Sequence, residues 1–199
     1  VWSLSYELLD AHCWNDWKQR SADGSPALTG WEPPSTLLSP AHAGAMAYLR
    51  QVAAAFVQIA ESERLPVHFQ IGEPWWWVTA GSYAPCLYDD AAKVAFGGDP
   101  PVIADMRAPL DEAQKALLDQ AGALLAASTA ALAQAVRDAA SGPAEVMLLA
   151  FTPTILDRRM PELERANLPA GWAYPAFDRL QLEDYDWLTA GADARRRAA

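Results

Sequence analysis

Residues 67–77 read VHFQIGEPWWW, and the interpretation of the whole chain starts from this stretch. Residues 67–71 have the β-branched and aromatic content of a buried strand, and Gly72 ends it. Glu73 follows at once, so a carboxylate lies at the carboxyl end of the strand, with a run of tryptophans after it. On a parallel α/β scaffold this combination is typical of sites that bind or cleave sugars. The alternative is that Glu73 makes only local contacts and the tryptophans are core.

The composition describes an ordinary globular chain with acidic charge. Of 199 residues, 52% are hydrophobic and 20% are charged, and the formal net charge is −10. Nucleic acid and anionic membrane surfaces would repel such a chain, so we expect no nucleic-acid partner and no membrane insertion. The arginine run at 195–197 is interpreted as a solvated helix face. Cys13 and Cys86 have no zinc spacing and the three histidines form no metal set, so we predict no metal and no cofactor.

Predicted strands alternate with predicted helices along the chain, which favours an α/β fold with parallel strands and crossover helices. Polar and aromatic loops follow the strands, as on the functional face of a (β/α)8 TIM barrel. Four strands make half of such a barrel, so we expect residues 1–199 to be a fragment of one barrel domain, with strands missing at both ends. An open doubly wound sheet is the alternative, but no GxGxxG follows the first strand. The predicted strands are 1–9, 67–71, 146–151 and 177–182, the helices are 40–62 and 111–140 (with a short turn over 89–96), and long loops cover 21–39 and 83–106.

Acidic residues follow each predicted strand, and a glycoside-cleaving site needs two of them across the bond. Glu73 with Glu183 or Asp184 is the catalytic pair that we select. A solvated loop acid or a helix cap is the alternative for each acid, and it is favoured for every acid except Glu73. Neighbouring side chains in an extended segment alternate, so the three tryptophans cannot all face one way, and one or two of them would form a sugar platform. The acids after the strands are Asp10, Glu73, Asp157, Glu183, Asp184 and Asp186, and the candidate substrate-binding residues are Trp75, Trp76, Trp77, His12, Asp10 and Tyr185.

Gly72-Glu73-Pro74 resembles the Asn-Glu-Pro motif at the fourth barrel strand in the largest clan of glycoside hydrolases. The resemblance implies that Glu73 is the acid/base. The sequence departs from the motif at Gly72, where the clan has asparagine. The clan's nucleophile lies on the seventh strand, and counting from Glu73 makes 177–182 the sixth, so Glu183 does not match that nucleophile.

Three longer segments, VWSLSYELLDAHCW, FQIGEPWWW with PCLYDDAAKVAFGGDPP after it, and FDRLQLEDYDWLTAG, resemble the glycoside-hydrolase-like TIM barrel of siphophage and gene-transfer-agent tail proteins, of the non-contractile tail sheath type. The resemblance implies a virion tail component, made in the bacterial cytoplasm, that assembles with other tail subunits as a homo-oligomer. Three hypotheses follow. The domain is structural and binds saccharide weakly or not at all, it is an active glycosidase on cell-envelope or capsule polysaccharide, or it is a binding module outside a phage context.

Overall fold

The structure is a computed structural model that describes residues 1–192 and residue 194. Within these residues, six strands form two sheets, and helices alternate with the strands of the larger sheet. The arginine run at 195–197 lies outside the described residues. The strands are β1 (Trp2–Ser5), β2 (Glu7–Leu9), β3 (Ser35–Leu37), β4 (Val67–Gly72), β5 (Ala144–Phe151) and β6 (Arg179–Glu183). The α-helices are α1 (Ala43–Ser62), α2 (Asp90–Ala95), α3 (Glu112–Ala139), α4 (Thr152–Ile155), α5 (Glu164–Asn167) and α6 (Tyr185–Thr189), and 3₁₀ turns cover Asp10–His12, Asn15–Trp17 and Pro161–Leu163.

The larger sheet has the order β1-β4-β5-β6, and each neighbouring pair is parallel. Parallel neighbouring strands require crossover connections. Helix α1 lies in the crossover from β1 to β4, and α3 lies in the crossover from β4 to β5. The register places Ser5 beside Gly72 and Phe151 beside Glu183, so the strands end together at one edge. This confirms the predicted partial barrel of parallel strands with long loops after them.

The first predicted strand is shorter than expected, and the loop after it is more ordered. The parallel strand ends at Ser5, because the fully buried Tyr6 turns the chain: its amide donates to the Gly72 carbonyl and its own carbonyl accepts from the Leu38 amide. Residues 7–9 then pair antiparallel with 35–37. The prediction of one strand over 1–9 was therefore wrong, and the long connection predicted over 21–39 ends in β3.

Two helix starts illustrate how side chains set boundaries. The predicted start of the first helix at residue 40 was wrong, because the cap is His42, whose Nδ1 accepts from the Ala45 amide at 3.1 Å. The third helix starts as its acidic first turn predicts. Asp111 accepts from the Gln114 amide, and the Gln114 side chain accepts from the Asp111 amide, which completes a capping box.

The two faces of the parallel sheet differ in chemistry. One face packs under α1 and α3 through fully buried apolar side chains such as Phe69, Ile71 and Leu148. The opposite face carries polar rows: His68 Nδ1 lies 2.6 Å from Glu145, and Gln70 donates to Gln181 at 2.6 Å. TIM barrel interiors are usually filled by bulky branched residues, so this polar face is unusual.

Helix α3 is long and apolar enough, by length and hydropathy, to cross a membrane. Its buried residues include Leu118, Leu125 and Leu132, which pack in the same core as α1 and the sheet. A helix that supplies a core passes the same test of length and hydropathy, so the test carries little weight here.

Candidate functional site

The carboxyl ends of β1 and β4 bring two glutamates together. Ser5 ends β1, Glu7 opens β2, and Glu73 follows β4. The Ser5 hydroxyl donates to Glu73 Oε2 and accepts from the Glu7 amide at 2.7 Å. One hydroxyl therefore joins the backbone of Glu7 to the carboxylate of Glu73.

Glu7 lies in an environment that disfavours its charge. Burial raises the pKa of Glu7 to about 7, and the carboxylates of Glu73 and Glu183 raise it in the same direction, while a hydrogen bond with Ser35 opposes the shift. A carboxyl group with this pKa still holds its proton in part of the molecules at neutral pH. We refer to Glu7, Glu73 and Glu183 as the carboxylate cluster.

Glu73 also has an unusual backbone. Its φ of 53° lies in the left-handed region, which residues other than glycine adopt at only a few per cent of positions. The Glu73 carbonyl accepts from the Trp75 amide at 3.0 Å, which tightens the turn after β4. Such backbone outliers are held by surrounding structure and are frequent at functional sites.

Three aromatic rings lie in series beside the carboxyl edge, and we call them the aromatic stack. Trp75 stacks on Phe151 with ring centroids 5.2 Å apart, and Phe151 stacks on Tyr185 at 6.3 Å. Trp75 is buried, whereas Tyr185 is 47% exposed. Tyr185 is therefore the member of the stack that a ligand at this edge can reach.

The other two tryptophans of the run are placed differently. Trp76 is fully buried, and its indole donates to the Ala121 carbonyl at 3.0 Å. Asn167 holds its backbone from both sides, accepting from the Trp76 amide at 2.7 Å and donating to the Trp76 carbonyl at 3.1 Å. Trp77 is half-buried, and its amide donates to Gln19. Of the three rings, only that of Trp77 keeps substantial exposure.

The remaining candidate residues fall into two groups. Asp10 and His12 lie in the turn after β2, where Asp10 accepts from Lys18 Nζ at 2.7 Å and His12 is exposed. Glu183 and Asp184 lie where β6 ends, both half-buried, and the Glu183 carbonyl accepts from Thr152. The structure thus brings Glu73 and Glu183 into one cluster, while Asp10 forms an ion pair with Lys18.

The two remaining acids that follow strands in the sequence are Asp157 and Asp186. Asp157 forms an ion pair with Arg159 at 2.7 Å. The side chain of Asp186 lies outside the described part of the structure.

Sequence reasoning missed Ser5, Glu7 and Phe151. Ser5 and Glu7 were assigned to the interior of one strand, so their place at a strand end was invisible without the break at Tyr6. Phe151 was assigned to a buried apolar run. The one available signal was Glu7 itself, the only charged residue among residues 1–9.

No metal centre accompanies these carboxylates in the described part of the chain. Within residues 1–192 and residue 194, no group of three or more His, Cys, Asp or Glu side chains is arranged to hold a metal ion.

Parallel strands that end together at one edge, joined by helical crossovers, define a portion of a TIM barrel. The profile of the non-contractile tail sheath protein TIM barrel matches residues 1–199, and the chain belongs to this family. This membership fits a structural role in a phage tail.

A solved structure supports the fold. The chain is similar to the catalytic domain of β-amylase from Paenibacillus polymyxa, with a TM-score of 0.50 and 13% identity. The match covers 80% of this chain and 49% of that one, so the chain spans about half the length of the β-amylase domain. At this identity the likeness concerns the fold alone. A comparison with curated proteins found no match.

Proposed function

We propose that this domain is a structural barrel of a phage-type tail protein and that its carboxyl edge binds saccharide. The observation that carries the saccharide part is the carboxylate cluster, joined through Ser5 and lying at the same edge as the aromatic stack. Carboxylates accept hydrogen bonds from sugar hydroxyls, and an exposed ring such as Tyr185 offers an apolar surface to a sugar face. The family's tail role supplies the context in which a cell-envelope saccharide would be met.

Glycan binding by the full-length protein tests this proposal. Wild-type protein is compared with Glu73→Gln on cell-envelope and capsule polysaccharides, and Glu63→Gln, at an exposed position just after α1, is the matched control. We expect Glu73→Gln to weaken binding by roughly ten-fold or more, because a hydrogen bond to a charged group is lost, and Glu63→Gln to bind as wild type does. Equal binding by all three proteins, or none by any, would rule out the saccharide part and leave only the structural role.

A second candidate function is glycoside hydrolysis, and one observation favours it. The raised pKa of Glu7 leaves a proton on a carboxyl group beside Glu73, which is the acid and carboxylate arrangement that glycoside cleavage uses. If the domain is a hydrolase, Glu73 and Glu7 supply the acid/base and the second carboxylate. Glu183 and Asp184, where β6 ends, are further candidates for the second carboxylate.

Turnover measurements separate hydrolysis from binding. If the domain is an enzyme, Glu73→Gln and Glu7→Gln should each lower the hydrolysis rate by about 10²–10⁴-fold, the range for loss of a general acid or base. Wild-type protein that binds a polysaccharide without releasing reducing ends would exclude the enzyme and keep the binding proposal.

A further inference from the structure

Ser5 contacts both Glu7 and Glu73, and its two hydrogen bonds differ in direction. The Glu7 amide donates to Ser5 Oγ at 2.7 Å, whereas the Ser5 hydroxyl donates to Glu73 Oε2. A backbone amide only donates, so the first bond cannot reverse, and it uses Oγ as the acceptor. The single proton of the hydroxyl is therefore available to Glu73.

The direction of the second bond decides which form of Glu73 it favours. An ionised carboxylate only accepts, and hydrogen bonds to an ionised group are roughly twice as strong as those between neutral groups. A hydroxyl that donates to Glu73 therefore stabilises the carboxylate more than the carboxylic acid. The Ser5 hydroxyl, whose oxygen is held by the Glu7 amide, favours the ionised form of Glu73.

Glu7 has the opposite surroundings. Its side chain is half-buried and faces the carboxylates of Glu73 and Glu183, which lie where β4 and β6 end. The neighbouring strand β3 contributes the neutral hydroxyl of Ser35. Burial and these two carboxylates raise the pKa of Glu7 to about 7. The surroundings of Glu7 therefore favour its protonated form.

The backbone at the end of β1 holds Ser5 beside the loop that carries Glu73. The register places Ser5 next to Gly72, and the amide of Tyr6 donates to the Gly72 carbonyl at 3.0 Å. A Cβ at Gly72 would lie 3.3 Å from Ser3 Oγ and 3.7 Å from Ser5 Cα, so a longer side chain there would compete with the serines for space. Glycine at this position, where the Asn-Glu-Pro motif has asparagine, leaves that space to the two serines.

We propose that Ser5 is a positioning residue, which holds Glu73 as the ionised acceptor and leaves the proton of the pair on Glu7. The inference rests on the proposed function, because it assigns different roles to two glutamates of the same site. At neutral pH a saccharide meets an acceptor at Glu73 and a hydrogen-bond donor at Glu7. The assignment differs from that implied by the resemblance to the Asn-Glu-Pro motif, in which Glu73 is the acid/base.

Carbon-13 NMR titration tests this assignment without any ligand. The full-length protein is labelled at the glutamate carboxyl carbons, and the Glu7 and Glu73 resonances are identified by their loss in Glu7→Gln and Glu73→Gln. In wild type we expect Glu73 to be ionised at pH values where Glu7 still binds its proton. In Ser5→Ala the titration midpoint of Glu73 should rise by about one pH unit, because the ionised form loses a hydrogen-bond donor.

Three further variants define the role of the hydroxyl. Ser5→Thr keeps it and should titrate as wild type does. Ser5→Cys keeps a weaker donor in the same place and should raise the Glu73 midpoint by less than Ser5→Ala, which gives a second measurement if the alanine variant folds poorly. Ser3→Ala is the matched control, since Ser3 lies two residues earlier on the same face of β1 and donates to Gln70 at 2.8 Å. It should change neither midpoint.

The outcomes separate this inference from the proposed function. A Glu73 midpoint that moves by the same amount in Ser5→Ala and Ser3→Ala, or in neither, would overturn the role of Ser5. So would a wild-type Glu7 that loses its proton before Glu73. The expected titrations in a protein that binds no cell-envelope or capsule polysaccharide would support the role of Ser5 and reject only the saccharide part of the proposed function.

Discussion

Glu73 and Trp76 lie three residues apart on one loop, yet their surroundings are opposite. Trp76 is fully buried, its indole and both backbone groups have partners, and Asn167 holds it from both sides. Glu73 has a left-handed backbone and faces Glu7, whose pKa it helps to raise. Trp76 has its polar groups satisfied, whereas Glu73 lies among like charges in partial burial.

The difference shows how a destabilised site is held in place. Like charges at a strand end would separate if the loop were free to move, because their repulsion opposes the compact state. The buried contacts of Trp76 fix the loop immediately after Glu73 and so offset that repulsion. We infer that the packing of Trp76 maintains the carboxylate cluster, and the following predictions test this comparison from its strongest element to its weakest.

The largest effect is expected for Trp76→Ala. Truncating a fully buried aromatic side chain typically lowers the free energy of unfolding by about 3–5 kcal/mol, and here the Ala121 carbonyl also loses its donor. Chemical denaturation measures the change. Trp31→Ala, at a 48% exposed side chain, is the control and should cost much less. Similar losses for the two variants would mean that Trp76 does not anchor the loop.

Gly122→Ala should give the next largest effect, through the helix that carries Asn167. A Cβ at Gly122 would lie 2.2 Å from the Arg165 carbonyl oxygen, so α3 and α5 must separate. Overpacking of this kind costs about 1–3 kcal/mol. Thermal unfolding provides the measurement, with Gly142→Ala as the control because nothing lies within 4 Å of its added Cβ. If both alanines are tolerated equally, the contact between α3 and α5 is not tight.

The same comparison explains what the sequence could predict. The strand content of residues 67–71, which are β-branched and aromatic, and the helix predicted over 111–140 depend on local chemistry, and both elements are found in the structure. The turn at Tyr6 depends on hydrogen bonds to Gly72 and Leu38, which are distant in sequence, so it could not be predicted. Because the turn could not be predicted, the position of Glu7 in the carboxylate cluster could not be predicted either. Asn167 was equally out of reach, because it meets Trp76 only through tertiary packing.

Glu7→Gln should make stability less dependent on pH. Because the folded-state pKa of Glu7 is raised from 4.5 to about 7, the folded protein binds more protons between these values, so wild-type stability falls as pH rises through this window. The neutral variant avoids that loss and should be more stable than wild type above pH 7 by about 1 kcal/mol, allowing for solvent screening of a half-buried group.

Denaturation of both proteins at pH 4.5 and pH 8 tests this expectation. The difference between them should grow with pH, whereas Glu63→Gln, at an exposed position outside the cluster, should follow wild type at both values. A difference that stays constant with pH would show that Glu7 is not destabilised by its neighbours.

The smallest effect on stability is expected for Tyr185→Ala, and this variant separates function from fold most cleanly. Tyr185 is 47% exposed and stacks on Phe151, and truncation at an exposed position should change the free energy of unfolding by only about 0.5 kcal/mol. Saccharide binding should fall markedly, because the exposed member of the aromatic stack is lost. Tyr185→Phe keeps the ring and should retain most of the binding. Unchanged binding by Tyr185→Ala would mean that the aromatic stack supports the loop after β4, as Trp76 does, and takes no part in holding a ligand.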